Sequence, residues 1–338
     1  MPGIEKQPEI AGAICAVPAS QSNDDRAVQP RQPTSLQGLL RFCVEATKSE
    51  DAPSGSQFQP MDEDRRKWLE EALKSMTVDV IELLQKQIKI LQDMDNVEAE
   101  DDVTKYEEAI AIILDHVDHL DIACDFHKIG GFMVLYPCLK SKNAKIRAGG
   151  CELLAVLCQN NPYCQQVVLD NEFIPKLLNM LEKDEDPLVG LKALYALSAI
   201  VRHCQEGFNQ FIHYNGPAIL LKTLGRAESH KFITKATFLL KSLCDSQPDF
   251  KSRLVFLEYV PALISLVIGD RRPSDEHVLS LLTSLLEDSA TAVNECKNLR
   301  YNLNDALQKR VASIKDQPEH MEEEQACRRI LQLVFGWR

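Results

Sequence analysis

The 338-residue sequence contains no long apolar run, and none of its segments approaches the roughly 18 apolar residues that cross a bilayer as a helix. Its N-terminal sequence, MPGIEKQPEIAGAICAVPAS, carries two Glu and one Lys and has only a short apolar stretch, whereas a secretory signal begins with net positive charge. We therefore expect no membrane association and no secretion. The predicted location is the cytoplasm, and the nucleus is a further candidate.

Positive charge is also in short supply. The chain has 38 Lys and Arg against 50 Asp and Glu, which gives a formal net charge of −12. Binding to nucleic acid without base recognition depends on Lys and Arg that neutralise phosphates, so we predict that nucleic acid is not a partner. The negative balance leaves open a protein partner that presents a basic surface patch.

Sequence signatures of catalysis are missing as well. The chain has no GxxxxGK[ST], GxGxxG or GxSxG motif. Its 11 cysteines are odd in number, and most lie within apolar runs, as Cys151, Cys158 and Cys244 do. This usage is typical of free thiols that pack as small apolar groups in a reducing compartment. We predict that the protein is not an enzyme and that it acts by binding.

One cluster of potential metal ligands requires comment. It consists of His116, His119, Cys124 and His127. These residue types bind zinc, but the spacing H-x2-H-x4-C-x2-H is not a zinc pattern. His116 also falls at a position that is apolar in the repeats described next. We therefore predict structural roles for these residues, with no metal and no cofactor.

Four apolar segments recur at a fixed interval in the sequence. They read LLAVLC, ALSAIV, LLKSLC and LLTSLL, and their second residues are Leu154, Leu197, Leu240 and Leu282. The successive differences between these residue numbers are 43, 43 and 42. A second column contains Leu135, Leu177, Leu221 and Leu263, which follow Gly130, Glu172, Gly216 and Glu258 by five residues. A degenerate earlier copy, IILDHV, covers residues 112–117.

A period of this length is typical of armadillo and HEAT repeats, whose units have about 40–47 residues. Room for three helices per unit, with a small or acidic residue that opens the middle helix, favours the armadillo type. The predicted fold is all-α, an armadillo-repeat solenoid of four full repeats plus helical caps, with a disordered N-terminal segment. The predicted divisions are a disordered segment at 1–59 with a short amphipathic stretch at 35–47, N-terminal capping helices and a degenerate repeat at 60–128, four repeats at 129–300 and C-terminal capping helices at 301–338.

The third helices of an armadillo array are expected to line a concave groove, which is the predicted partner-binding surface. On each of these helices, residues that recur every 3 or 4 positions and lie outside the buried columns form a second helix face, which should face the groove. They are Glu152, Gln159, Lys192, Tyr195, Ala199, Arg202, Lys235, Phe238, Ser242, Asp245, His277, Ser280, Ser284 and Glu287. Exposed aromatic and Arg side chains are common binding anchors, which singles out Tyr195 and Phe238. Packing of both rings against a neighbouring repeat is the alternative.

Three segments carry a resemblance to a known family: SLQGLLRFCVEA from Ser35, MDEDRRKWLEEAL from Met61 and DEHVLSLLTSLLEDSATAVNECKN from Asp275. They resemble the armadillo-type nucleotide exchange factors of the 70-kDa heat-shock chaperone, the family of the animal heat-shock-chaperone-binding proteins and the yeast cytosolic exchange factor. The resemblance covers nearly the whole chain beyond about residue 35. Two departures from the common glycine are Glu172 and Glu258.

The resemblance implies a function. Family members wrap the concave face around one lobe of the chaperone's ATPase domain, and they favour an arrangement that holds ADP weakly. ADP release and client release follow. The resemblance also implies that the N-terminal segment contacts the chaperone's substrate-binding domain, where Leu39, Leu40, Phe42 and Val44 would mimic an apolar client peptide. We expect a monomer.

The alternative is an armadillo scaffold that binds an extended peptide. Such grooves rely on recurrent Asn and Trp residues of the third helices. The corresponding positions here hold Ala199, Ser242 and Ser284 for Asn, and Tyr195, Phe238 and Ser280 for Trp. Because the row of Asn residues is missing, the sequence favours a folded partner.

Overall fold

The computed structural model describes residues 63–64, 66–68, 79–94 and 97–337. Contacts divide the chain into two units, Met1–Glu71 and Ala72–Arg338. The described residues of the first unit are helical, and the Trp68 side chain among them is exposed. The predicted disordered segment at 1–59 and the predicted client-mimic residues Leu39, Leu40, Phe42 and Val44 lie outside the described residues.

The described part of the second unit is built from α-helices and short 3-10 helices and contains no strand. Two helices come first and are followed by groups of three. The helices are α1 Val80–Gln92, α2 Thr104–Val117, α3 Leu120–Lys128, α4 Leu135–Lys140, α5 Ala144–Cys158, α6 Pro162–Asp170, α7 Phe173–Lys183, α8 Pro187–Val201, α9 Gln205–His213, α10 Gly216–Leu224, α11 His230–Ser246, α12 Phe250–Phe256, α13 Tyr259–Val267, α14 Asp275–Glu287, α15 Ala290–Cys296, α16 Leu303–Ile314 and α17 Met321–Phe335.

The long third helices form a continuous row, because α2, α5, α8, α11, α14 and α17 each pack against the next. The predicted armadillo-type solenoid is confirmed. The closing helices α15, α16 and α17 follow the same three-helix order as the repeats before them. Within the described residues, the helices are too short or too polar to span a membrane.

Helix starts follow from local sequence. Asn161 and Asp186 accept hydrogen bonds from the backbone N–H groups of Cys164 and Leu188, and a proline occupies the first turn after each cap. These side chains satisfy donors that have no partner within the helix, and proline lacks the N–H that would need one. Two further prolines, Pro248 and Pro273, lie two residues before the first residues of α12 and α14.

The apolar column of the third helices is buried as predicted. Its leucines Leu154, Leu197, Leu240 and Leu282 are fully buried. The degenerate copy differs from the prediction at one position. His116 was expected in the buried column, but Val117 is buried there instead, and the Nδ1 atom of the half-buried His116 lies 2.9 Å from the Ile112 carbonyl oxygen. The polar imidazole thus finds a backbone partner near the helix surface.

The predicted column of the middle helices is wrong by one residue in the third repeat. Leu220 is fully buried there, whereas Leu221 is only partly buried. The residue that precedes α10 with positive φ is Asn215, at 57°, rather than Gly216. Asn reaches the left-handed region more readily than most residues, so it can replace glycine at this turn. The corresponding residues of the other repeats, Gly130, Glu172 and Glu258, also have positive φ.

Gly216 instead provides space for an aromatic ring. A Cβ atom added there would lie 2.2 Å from the buried Phe211 ring, and one added at Gly131 would lie 2.5 Å from Phe126. Where the middle helix opens with a large residue, as at Phe173, the residue five positions earlier is the smaller Val168. In these three repeats, a large residue at one of the two positions goes with a smaller residue at the other.

The Gly149–Gly150 pair has a packing role that the sequence did not reveal. Both residues lie inside α5. A Cβ atom at Gly150 would lie 2.7 Å from the Cys138 Cβ atom, and one at Gly149 would lie 2.9 Å from a methyl group of Ile110. The two glycines allow α4 and α2 to approach α5 closely.

Candidate partner-binding face

The third helices α5, α8, α11, α14 and α17 present one row of residues that lie outside the buried apolar columns. We call this row the ladder face. It comprises the fourteen predicted residues together with Glu322, Ala326 and Arg329 of α17. Because successive third helices pack side by side, side chains at corresponding positions of adjacent repeats become neighbours on this face.

The first part of the ladder face is held together by contacts between α5, α8 and α11. Lys192 forms an ion pair with Glu152. The Tyr195 hydroxyl donates a hydrogen bond to the Gln159 side-chain oxygen at 2.9 Å, and the Lys235 ammonium lies 4.6 Å from the centre of the Tyr195 ring. Burial, and secondarily the Glu152 carboxylate, raise the pKa of Tyr195. These side chains are therefore positioned before any partner binds.

Arg202, Phe238 and Ser242 form the next contact along the face. The Arg202 guanidinium lies 4.8 Å from the centre of the Phe238 ring, and its Nε atom donates to the Ser242 hydroxyl at 3.3 Å. The Phe238 side chain nevertheless remains 48% exposed. The ring thus packs against the neighbouring repeat and still offers an apolar surface, and its role as a binding anchor stays a prediction.

Two predicted site residues have roles within the array itself. The carbonyl oxygen of Ala199 accepts a hydrogen bond from Gln165 at 2.9 Å, so its backbone serves the contact between repeats. Ser284 is only 5% exposed, because its small side chain lies on α14 between α11 and α17. This corrects the expectation that Ser284 projects outward, since it forms part of a floor instead.

That floor belongs to an open cavity of about 750 Å³ formed by α11, α14 and α17. Six predicted residues line it: Phe238, Asp245, His277, Ser280, Ser284 and Glu287. The sequence interpretation missed the residues that α17 contributes, which include Glu322, Ala326 and Arg329. Respectively, they follow Ser280, Ser284 and Glu287 by one repeat interval, which is the difference in number between the last two leucines of the apolar column. The buried Cys327 follows Leu285 by the same interval. Extending the repeat interval past residue 300 would have found them.

The cavity carries charges of both signs, and most of them are paired. Lys241 pairs with Asp245 at 2.9 Å, and Arg329 pairs with Glu287 at 3.3 Å. Glu276 and Glu322 meet as two carboxyl groups, and burial, followed by the hydrogen bond with Glu322, raises the pKa of Glu276. A surface of this kind suits a polar protein partner with its own charges of both signs.

The described His and Cys side chains that could bind a metal or act as nucleophiles are engaged in contacts or buried. The described residues contain no group of three or more His, Cys, Asp or Glu side chains placed to hold a metal ion. The His127 Nδ1 atom lies 2.7 Å from the Tyr163 hydroxyl oxygen. Burial raises the pKa of the Cys138, Cys164 and Cys244 thiols to about 12, so they stay protonated and weakly nucleophilic at neutral pH.

Comparison with solved structures agrees with the fold. A designed armadillo repeat protein has a TM-score of 0.57 at 13% identity, and the match covers 74% of this chain and 99% of that one. A computationally designed armadillo repeat protein for modular peptide recognition has a TM-score of 0.58 at 13% identity, with coverage of 74% and 99%. These similarities concern the fold alone.

Sequence comparisons go further. The SIL1/FES1/HPBP1 C-terminal domain matches residues 122–253, and a second family, nucleotide exchange factor Fes1, matches residues 36–126. Hsp70-binding protein 1 of Mus musculus is 30% identical over 95% of this chain and 92% of its own length. The Homo sapiens protein of the same name is 30% identical over 90% and 87%. The FES1 exchange factor of Coccidioides immitis is 31% identical over 28% and 44%.

These matches confirm the resemblance carried by the three sequence segments. The long match to Hsp70-binding protein 1 covers almost the whole of both chains, and the two family matches together extend from residue 36 to residue 253. The chain belongs to the SIL1/FES1/HPBP1 family.

Proposed function

We propose that this protein is a nucleotide exchange factor for the 70-kDa heat-shock chaperone, and that it binds the chaperone's ATPase domain through the ladder face. The observation that carries the proposal is family membership. The relatives that match nearly the whole chain are named Hsp70-binding protein 1, and the shorter matches are named Hsp70 nucleotide exchange factors.

The ladder face supports a folded partner rather than an extended peptide. The three positions that would carry Asn in a peptide-binding groove are already engaged or too small. Ser242 bonds with Arg202, Ala199 offers only a methyl group and Ser284 is buried. No side-chain amide is therefore offered to a peptide backbone at these positions.

Contacts along the face also support tight binding. The pair Glu152–Lys192, the bond from Tyr195 to Gln159 and the stack of Arg202 on Phe238 hold long side chains in place. Ordering a long side chain at an interface costs about 0.5–1.5 kcal/mol, so side chains that are already ordered reduce the cost of binding.

The mechanism requires no catalytic residue in this chain. If the ladder face binds best to a lobe arrangement that holds ADP weakly, then its binding lowers ADP affinity, and ADP lowers its affinity by the same factor. A coupling of about 1–3 kcal/mol changes nucleotide affinity by about 5- to 150-fold. Thus the protein would act without touching the nucleotide.

Stopped-flow release of a fluorescent ADP analogue from the chaperone tests the proposal. Saturating protein should accelerate release, and the isolated ATPase domain should respond as the full chaperone does. An unchanged release rate would contradict exchange activity. Acceleration of the full chaperone without the isolated domain would contradict the proposed site.

The N-terminal segment has a separate proposed role in client release. Replacing Leu39, Leu40, Phe42 and Val44 with Ala should leave ADP release intact and slow the release of a labelled client peptide. Slowed ADP release would contradict this division of roles. We further propose a monomer in the cytoplasm, which light scattering after size exclusion and cell fractionation would check.

A further inference from the structure

A second cavity, of about 400 Å³, lies away from the ladder face on the first and second helices of two neighbouring repeats. The 3-10 helix Gly131–Val134 and helices α3, α4, α6 and α7 supply its walls. We call it the outer pocket, and its principal lining residues are His127, Phe132, Met133, Tyr136, Phe173 and Lys176. None of the third helices described above contributes to it.

The outer pocket combines exposed apolar groups with rings held in place. Met133 is 72% exposed and Tyr136 is 39% exposed. The Phe132 ring meets the His127 ring edge-on with 4.9 Å between centres, and Phe173, which also lines the pocket, is buried. Exposed apolar groups gathered around a concavity mark a binding site more often than scattered ones do.

Two lysines converge on the same ring. The Lys140 ammonium lies 4.3 Å from the centre of the Tyr136 ring, and that of Lys176 lies 4.9 Å from it. Lys176 also lies 4.8 Å from the Phe173 ring. The hydrogen bond with Lys140, and then the charges of both lysines, lower the pKa of the Tyr136 hydroxyl, as expected for a locally positive site.

These lysines differ from their neighbours in lacking a counter-ion among the described side chains. Lys128, Lys142 and Lys145 each pair with a carboxylate at 2.8, 2.6 and 3.2 Å. Among the residues with described side chains, no carboxylate lies within 4.0 Å of Lys140 or Lys176. Lys176 lines the cavity, where it donates to the Asn171 carbonyl oxygen at 2.8 Å, and Lys140 lies beside the cavity over the Tyr136 ring. Neither ammonium has a carboxylate partner among these residues, although the net charge of the chain is −12.

We infer that the outer pocket binds an acidic peptide, with carboxylates beside Lys140 and Lys176 and one apolar side chain against Phe132, Met133 and Tyr136. The carboxylates would supply the counter-ions that the described residues do not provide. The cavity volume suits one or two side chains rather than a folded domain. Because the pocket uses no ladder-face residue, such a peptide and the proposed chaperone partner can bind at the same time.

Fluorescence polarisation with the full chain tests this inference. The probe is a degenerate pool of fluorescein-labelled peptides that contain paired Glu residues next to Leu or Phe, and the reference pool carries Gln in place of Glu. The acidic pool should bind saturably and more tightly than the neutral pool, and added salt should weaken it. Equal binding of both pools, or no saturable binding, would overturn the inference.

Single variants assign the site. Lys140→Gln and Lys176→Gln should each weaken the acidic pool by about fivefold at low salt, the upper range for an exposed ion pair. Lys142→Gln removes the same charge two residues from Lys140, but its partner is Glu98, so it should have no effect. If Lys142→Gln weakens binding as strongly, the effect is one of net charge and the outer pocket is not the site.

The ADP-release assay separates this inference from the proposed function. The Lys140 and Lys176 variants should accelerate ADP release as the parent protein does. A loss of acceleration in these variants would place the outer pocket within the chaperone interface and would contradict an independent peptide site. If the parent protein does not accelerate ADP release, the proposed function is contradicted and the peptide site is not.

Discussion

The Arg202 guanidinium lies over the Phe238 ring at 4.8 Å, which links the end of α8 to the middle of α11. Since Ser242 on the same helix accepts a hydrogen bond from Arg202, the guanidinium is fixed by two contacts. The ring beneath it is held in one position while about half of its surface remains open. A rigid, half-exposed aromatic residue with an Arg above it is typical of residues that dominate an interface.

We therefore expect Phe238→Ala to weaken the proposed binding to the chaperone's ATPase domain by about tenfold or more, in the range of strong interface residues. Isothermal titration calorimetry measures the affinity, and circular dichroism checks that helix content is kept. Phe256→Ala is the matched control, because Phe256 is 85% exposed on α12 and lies outside the ladder face. Equal effects of the two substitutions would contradict the assignment of the ladder face.

The positions of the ladder face could be predicted from periodicity, but the contacts within it could not. The repeat interval places Glu152, Lys192, Tyr195 and Lys235 on one face. That Lys192 pairs with Glu152, and that Lys235 lies over Tyr195, depends on how the side chains of adjacent third helices pack against one another. A regular apolar column in one sequence shows which residues share the surface. It does not show which of their side chains pair.

In the third repeat, by contrast, the predicted position itself is wrong. The predicted column counts five residues from Gly216, as it does from Gly130 at a left-handed turn, and it is therefore shifted by one residue. The structure assigns the turn to Asn215 and leaves Gly216 to accommodate Phe211. Two functions of glycine, conformational freedom and small size, cannot be distinguished from the letter alone.

Glu172 has a φ of 55° at the turn before α7, where a side chain is strained. Left-handed geometry costs an L-residue about 1–2 kcal/mol, and a glycine avoids this cost. Glycine also raises the entropy of the unfolded chain, which cancels part of the gain in stability. We expect Glu172→Gly to raise the free energy of unfolding by about 1 kcal/mol. Urea denaturation measures it.

A second Glu→Gly substitution provides the control. Glu108 is exposed within α2, where φ is helical, so Glu108→Gly should lower the free energy of unfolding by about 0.5–1 kcal/mol. Destabilisation by both substitutions would mean that the backbone at Glu172 is not strained.

Arg310 neutralises two buried carboxylates near the end of the array. It pairs with Asp275, which is 1% exposed, and with Glu323, which is 3% exposed, and it donates to the Val267 carbonyl oxygen at 2.6 Å. Glu323 follows Leu281 by one repeat interval, in a column that is apolar elsewhere, and it is buried because Arg310 and Arg271 both bind it.

Removing one partner of a buried ion pair leaves an uncompensated charge in a medium that solvates it poorly. Arg310→Met should therefore lower the free energy of unfolding by about 3–5 kcal/mol. Arg271→Met should cost less, because the Arg271 side chain is 40% exposed and, among the described side chains, its ion pair is with Glu323. Combining Arg310→Met with Asp275→Asn and Glu323→Gln should recover part of the loss. A triple variant no more stable than Arg310→Met would contradict this electrostatic explanation.

The ionisation of Glu276, which lines the cavity, makes the free energy of unfolding depend on pH. Burial, and then the hydrogen bond with Glu322, raise the pKa of Glu276 above that of the unfolded chain. Folding therefore takes up a proton. The resulting stabilisation is complete below the unfolded-state pKa and is lost as pH rises through the folded-state pKa.

Glu276→Gln removes the ionisation and keeps a side chain that can hydrogen-bond with Glu322. At neutral pH the variant should unfold at a higher urea concentration than the parent, and this gain should disappear as the pH falls below the unfolded-state pKa. Glu295→Gln should show the opposite sign, because hydrogen bonds from Tyr301 and Arg300 lower the pKa of Glu295. That variant should be less stable than the parent at neutral pH and should approach it in acid. If both variants shift in the same direction, the general loss of negative charge explains the effect, and the paired carboxyl groups of Glu276 and Glu322 do not.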